Sequence, residues 1–394
     1  MKIYDNYFDE YITLTPSLYD CLNLSKYKHL KKSMENPLSL DHITKQKELH
    51  TKYLTILSKK KRPNIYDKTL MYICNDVLES YNYNFELTPI NHQENILYYI
   101  LEMANGEGIY TFNKKQDYYD FITKMCNFDE IIDSIIYNME KGITLKYTLP
   151  KILVKKLISQ IKEMLTNKSY LNNSIKYKLN FDFNAKCASI FIPPLNKLHD
   201  FLKNKYLSKA RSSIGMIGLQ NGLKEYKYLV KSSTTLKDIT VDSIHKYGLS
   251  EVKRIHEEMH IIKDKLEFKG ILKEFNNWLS KRRDLNFKSK ENLLSDYKNE
   301  LKLINNTVMK TQFFSSVKGK CQIIPVPKSN EEFSAEAYYM GGDLEGKREG
   351  KFYINLKNYK DNNKIEIESL TLHEANPGHH YQITYVNESE KIPL

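Results

Sequence analysis

The sequence contains no C-x-x-C pair, and its five cysteines, Cys21, Cys74, Cys126, Cys187 and Cys321, are scattered and odd in number. That excludes a disulfide scaffold and a cysteine-held zinc site, and it fits structural thiols in a reducing compartment. No run of about eighteen apolar residues appears, so no membrane-spanning helix is expected. The opening stretch "MKIYDNYFDEYITLTP" has no apolar core of signal-peptide length, which makes cytoplasmic the expected address. Glycine and alanine are scarce, while Tyr (30 residues), Lys, Asn and Ile are over-used. The bias resembles that of an AT-rich genome, so the net charge of +12 is partly a coding effect. It argues only weakly for polyanionic partners. Lys and Glu alternate along most segments and no basic block is interleaved with aromatics, so specific nucleic-acid binding is not expected.

What is present is a core-forming composition. Hydrophobic residues make up 41% and aromatics 12%, too much for a disordered chain. Most of the sequence up to about residue 310 reads as helices. "LSLDHITKQKELHTKYLTILSKK" carries apolar residues at mixed three and four spacing after an Asp start signal. "TPINHQENILYYILEMANGEGIY" starts at Thr-Pro and ends at Gly106 and Gly108. Further helices are expected over 115–140, from Pro150 to 167, and over "SIFIPPLNKLHDFLKNKYLSKA" from a Pro-Pro start. Two or three more follow over 241–310, with an end near Gly270. The texture then changes. "KCQIIPVP" (320–327), "FSAEAYYMGG" (333–342) and "GKFYINLKNY" (350–359) alternate apolar and polar residues and are bounded at one end by Gly or Pro, as strands are. The expected fold is mainly α with one small sheet. An N-terminal helical region over 1–205 is followed by a region over 206–394 with the sheet at about 320–359 and a motif helix at 366–386. A single continuous domain is the alternative.

That motif helix carries the chemistry. "LTLHEANPGHHYQITY" (370–385) places three of the eleven histidines within eight residues, with Glu374 beside the first. A hydrolytic zinc site takes about three protein ligands and keeps one position open, and a carboxylate nearby removes a proton from water. The usual helical form, H-E-x-x-H, puts two histidines one turn apart. Here the second histidine is too far. On a straight helix His379 lies about 240° round from His373, and His380 returns to the same face roughly 10 Å along the axis. Pro377 removes the straight helix, because its ring clashes with the carbonyl of residue 373 and it has no N–H. The chain must kink, bulge or restart at 376–378, with Gly378 absorbing the change. His379 or His380 can then return beside His373. The bland alternative is a surface helix that ends at Asn376-Pro377 with exposed histidines.

A second candidate is the literal H-E-x-x-H of "EVKRIHEEMHIIKDK": His256, Glu257 and His260, with Glu274 downstream. Its charged neighbour Glu258 and its amphipathic flanks read as an ordinary solvated helix, and no strand precedes it.

The segment "GGDLEGKREGKFYINLKNYKDNNKIEIESLTLHEANPGHHYQI" resembles a bacterial family known as domain of unknown function 885, placed among zincin-like metallopeptidases. Its Gly-x-Phe-Tyr-hydrophobic-Asn strand stands before H-E-x-x-P-G-H-H. "GLQNGLKEYKYLVKSSTTLKDITVDSIHKYGLSEVKRIHEEM" resembles the family too, and "MEKGITLKYTLPKILVKKLI" does so more weakly. The resemblance implies a zincin-like helical fold around a cleft and a zinc cofactor. His373 and one of His379 and His380 would be zinc ligands, and Glu374 would be the general base towards the zinc-bound water. The strand Phe352 to Asn355 would line the cleft and pair with an extended peptide, which makes Tyr353 and Asn355 candidates for substrate binding. Tyr338, Tyr339 or Tyr353 could place a hydroxyl at the scissile carbonyl, or could simply pack in the sheet.

Family members continue past the histidine motif to a Glu-Gly-Trp-Ala-type helix, whose glutamate resembles a third ligand. This sequence stops at "ESEKIPL", where Glu388 and Glu390 are the remaining acidic candidates. The expectation is therefore a C-terminally truncated member, a peptide hydrolase that needs a separate C-terminal polypeptide to complete it. The alternative is an inactive remnant that binds peptides or a protein partner.

Overall fold

The computed structural model describes residues 2–92, 96–106, 109–171, 173–313, 316–327, 331, 334–360, 362–389 and 391–393. Two compact units divide the chain, Met1–Lys237 with the last two residues, and Asp238–Ile392. The division expected at 205/206 falls inside the first unit, within a π-helical turn at Leu202–Tyr206.

Helices build the first unit. α1 (Lys2–Leu14), α2 (Leu40–Ser58) and α3 (Ile65–Ser80) bury Tyr4, Leu49, Tyr53, Leu57, Leu70 and Cys74 together. α2 is capped by Ser39, whose side chain accepts from the His42 N–H, and not by the Asp two residues later. α3 opens on a capping box between Asn64 and Asp67. The larger core gathers Tyr110, Phe112, Tyr118, Phe121, Phe128, Phe183 and Phe191, rings that meet mostly edge-on or tilted. The helix expected to end at Gly106 does so, with that glycine in the left-handed region at φ 78°. Residues 93–95 and Gly108 lie outside the described residues.

The Pro-Pro start is corrected. The helix α4 runs Phe183–Phe201 from an Asp182 cap, with Pro193 and Pro194 in its interior. Phe183, Cys187, Phe191, Leu195 and Leu198 form a buried stripe that spans the prolines, and burial of that stripe outweighs the lost backbone bonds.

His50 of α2 is buried between two partners. Its Nδ1–H donates to the Gln46 carbonyl (2.7 Å) and its Nε2 accepts from the Tyr7 hydroxyl (3.2 Å). Burial lowers its pKa from 6.5, and the Gln46 bond opposes the shift. The neutral ring therefore contributes stability that is whole above the unfolded-state value and is lost as the pH falls from there through the folded-state value. Urea unfolding measured between about pH 7 and pH 5 should show this loss. In His50→Gln the slope against pH should be shallower by at most about 1.4 kcal/mol per unit.

The second unit holds the sheet. α5 (Val241–Lys265) is capped by Thr240 and Ser243, and α6 (Lys290–Asn306) by Ser289. The strands are β1 (Cys321–Pro325), β2 (Ala337–Met340) and β3 (Gly350–Ile354), in the order β1-β3-β2. β1 runs parallel to β3, with Cys321 opposite Gly350, and β2 runs antiparallel, with Tyr339 opposite Phe352. All three strands lie within the stretches whose alternation marked them; Phe333 is outside the described residues. Ile323, Phe352 and Ile354 form one sheet face that packs with Leu293, Tyr297 and Leu301 of α6, Ile367 and Ala375. The Tyr297 and Phe352 rings meet edge to face at 5.6 Å. The motif segment follows as α7 (Glu366–Glu374) and α8 (His379–Asn387). The described part of the chain is thus mainly helical with one small sheet, and no helix in it is long and apolar enough to cross a membrane.

Candidate metal centre

α7 presents two faces to two tasks. Ile367, Thr371 and Glu374 recur at four and three residues and are buried, while His373 is exposed beside them. The helix ends at Glu374. Ala375 leaves helical geometry at φ −102°, ψ −104°, a cis peptide joins Asn376 to Pro377, and Gly378 at ψ −134° leads into α8. The side-chain amide of Asn376 donates to Oδ1 of Asn305 on α6 (2.7 Å), which fixes the break against the core. Gly378 packs on the end of α7: a Cβ there would overlap the His373 carbonyl and lie 2.5 Å from the Leu372 carbonyl oxygen. Of the kink, bulge or restart the sequence allowed, the chain takes the restart.

The break places His379, the first residue of α8, against His373. Their rings are 4.8 Å apart at 88°. One ligand atom each from His373, Glu374 and His379 lie within 4.8 Å of one another. Glu374 is 7% exposed, and the two imidazoles are exposed above it. Among the described residues, none of the three has a hydrogen-bonding partner, so a nearly buried carboxylate and two imidazoles converge with their donor atoms uncommitted. The two imidazole nitrogens are donors zinc accepts, and the carboxylate oxygen lies beside them. Bonds of about 2.0–2.2 Å bring neighbouring ligand atoms in a tetrahedron to roughly 3.3 Å, and those of this cluster lie within 4.8 Å of one another.

His380 goes elsewhere. It is 2% exposed. Its Nε2–H donates to the Gly319 carbonyl (3.2 Å), and its Nδ1 accepts from the Tyr339 hydroxyl (2.9 Å), with the Thr384 hydroxyl 3.3 Å away. Burial holds its pKa below the usual histidine value. Both nitrogens are committed, which leaves His379 as the histidine available beside His373.

The other candidates are placed as follows. β3 is the central strand, bonded on both sides, so the expected pairing of Phe352–Asn355 with a peptide has no free edge there. Tyr353 is buried and stacks on Tyr338. The Asn355 amide donates to the carbonyls of Glu331 and Ser334, and its Oδ1 accepts from the Lys357 N–H, which ties down the loop after β3. Tyr339 spends its hydroxyl on His380, and burial raises its pKa to about 12. Cys321 is likewise pushed up to about 12 by burial, so its thiol stays protonated near the site. His256 and His260 are exposed on α5, Glu257 faces Lys253 at 3.9 Å, and Glu274 accepts from the Ile271 N–H. Among the described residues the cluster at 373–379 is the one group with converging metal donors. Glu388 accepts from the Lys318 and Gly319 N–H groups, and Glu390 lies outside the described residues. The sequence reading missed Asn305 and Gly319. Neither carries a local signal, because each matters only through a contact made across more than sixty residues.

No curated protein matches this chain. Among solved structures it is similar to one described as "the putative lipoprotein from Colwellia psychrerythraea", with a TM-score of 0.82 and 20% identity over all of this chain and 74% of that one. At that identity the likeness speaks for the fold alone. Residues 24–394 match the family model described as "Bacterial protein of unknown function (DUF885)", and on that match the chain belongs to this family.

Proposed function

We propose that this protein is a zinc-dependent hydrolase of peptide bonds with a zincin-like site, held by His373 and His379 and served by Glu374. The observation that carries the reading is the convergence of the three uncommitted donor groups across the helix break. Zinc, when bound, supplies Lewis acidity towards water and a carbonyl oxygen. The chain supplies the rest. His373 and His379 hold the ion from the end of one helix and the start of the next. Glu374, buried beside them, takes the proton of the attacking water and passes it to the leaving amine.

The substrate edge is β2 in place of β3. The Asn355 N–H donates to the Glu336 carbonyl, so in the antiparallel ladder the residues that turn their N–H and C=O groups away from β3 are Ala337 and Tyr339. β2 packs beside α7, and an extended peptide added there would run close to Glu374. A cytoplasmic address belongs to the same reading and is supported by the five free thiols.

Elemental analysis of the purified protein should give one zinc per chain. Glu374→Gln should keep the metal and lose at least about a hundredfold in cleavage of an extended peptide, the size of a general-base contribution. Loss of zinc in the same variant would make Glu374 a ligand. A metal-free wild type without peptidase activity would sink the hydrolase reading and favour a peptide-binding role.

A further inference from the structure

His379 is the first residue of its helix, with no hydrogen-bonded partner of its own among the described residues. Its ring meets that of His373 at 4.8 Å, and the next residue is held by bonds of its own. His380 sits at the end of the sheet formed by the starts of β1 and β3 and the end of β2. The Gly319 carbonyl that accepts from its Nε2–H lies two residues before β1. The Tyr339 hydroxyl that donates to its Nδ1 belongs to β2. Gly350, the first residue of β3, backs the pair: a Cβ there would overlap the Tyr339 hydroxyl and lie 3.0 Å from His380 Nδ1. The Gly350 N–H in turn donates to the Lys320 carbonyl. One turn and two turns further along α8, Thr384 and Glu388 continue the seam, with Glu388 accepting from the N–H groups of Lys318 and Gly319.

We infer that His380 is a positioning residue. Locked as the Nε2–H tautomer between Gly319 and Tyr339, it anchors α8 to the sheet and so holds the adjacent His379 at the metal site. The tautomer follows from the partners. A carbonyl oxygen can only accept, so Nε2 carries the proton. Nδ1 is then the acceptor and Tyr339 the donor. The bare sequence offers two neighbouring histidines as equivalent ligands; the geometry separates them into a ligand and its anchor. The inference rests on the proposed zinc site for its consequence, but the anchor itself exists without metal.

Tyr339→Phe tests it with the least disturbance, because the ring stays and one hydrogen bond goes; His380→Gln is the second variant. Three readouts are needed. In metal-free wild type, ring nitrogen correlations by NMR should show His380 with its proton on Nε2. Hydrogen exchange of the amides from Tyr381 to Ile383 should quicken at least about tenfold in Tyr339→Phe, while the melting transition of the unit stays intact. Zinc affinity should fall about 10- to 100-fold in both variants, the size that outer-shell partners command, and the cobalt-substituted absorption spectrum should change. A folded Tyr339→Phe with wild-type exchange, or with zinc affinity unchanged, overturns the inference. A shift of the His380 nitrogens to metal-bound values on adding zinc overturns it too, by making His380 a ligand. If the wild type binds no zinc, the hydrolase reading falls, and the tautomer and exchange measurements still decide the anchor.

Discussion

Gly378→Ala should abolish zinc binding, with a loss of at least about a hundredfold in affinity and about 1–3 kcal/mol in stability. The reasoning is steric. A Cβ at 378 would overlap the His373 carbonyl and stand 2.5 Å from that of Leu372, and both opposing atoms are backbone that cannot rotate away. The end of α7 and the start of α8 must separate to admit it. Those two ends carry His373 and His379, so the donor cluster opens as they part. Zinc titration against a chromophoric chelator reads the affinity, and thermal unfolding reads the stability. Gly248→Ala on the exposed helix α5 is the control. Nothing lies within 4 Å of its new methyl group, and alanine is the better helix former by about 0.5–1 kcal/mol. Full zinc affinity in Gly378→Ala would mean that the two helix ends are free to shift without cost, and the rigid break would have to be given up.

The sequence carried part of this site openly. The alternation in "KCQIIPVP" and "GKFYINLKNY" marks two strands, a period-2 signal that needs no tertiary knowledge, although β3 is buried on both faces at every position but Lys351. Pro377 announced a break because its effect is local and covalent. The choice between His379 and His380 was not legible. Adjacent residues on a helix point about 100° apart, so which one faces His373 depends on the dihedrals at Ala375 and Gly378, and these are settled by packing against Asn305 and the α7 carbonyls. The roles of Tyr339 and Gly350 were hidden for the same reason, since they meet His380 across 41 and 30 residues of chain. The order β1-β3-β2 is likewise invisible to periodicity, which is why the central strand β3 reads as a free edge from the sequence alone. At Pro193-Pro194 the local signal was present and misleading: a buried stripe on both sides carried the helix through residues that usually begin one.

The chain holds two histidine-glutamate motifs, and alanine substitutions should separate them. His373→Ala and His379→Ala should each lose at least about a hundredfold in zinc affinity, since a ligand costs more than the outer-shell partners worth about 10–100-fold. His256→Ala and His260→Ala should leave zinc content and unfolding unchanged. The difference is one of surroundings, not of spacing. His256 and His260 have the ideal i, i+4 relation, yet both project from an exposed helix, and the acidic groups beside them are taken up by Lys253 and Arg254. Ion pairs on such a surface are worth about 0–1 kcal/mol, so removing a neighbour there changes little. At 373–379 the spacing looks wrong and the setting is right: a carboxylate almost withdrawn from water, two imidazoles over it, and no protein partner among the described residues for any of them. Isothermal titration of zinc into the four variants decides between the motifs. Retained affinity in His373→Ala with loss in His256→Ala would move the centre to α5 and remove the reason for regarding the helix break as functional.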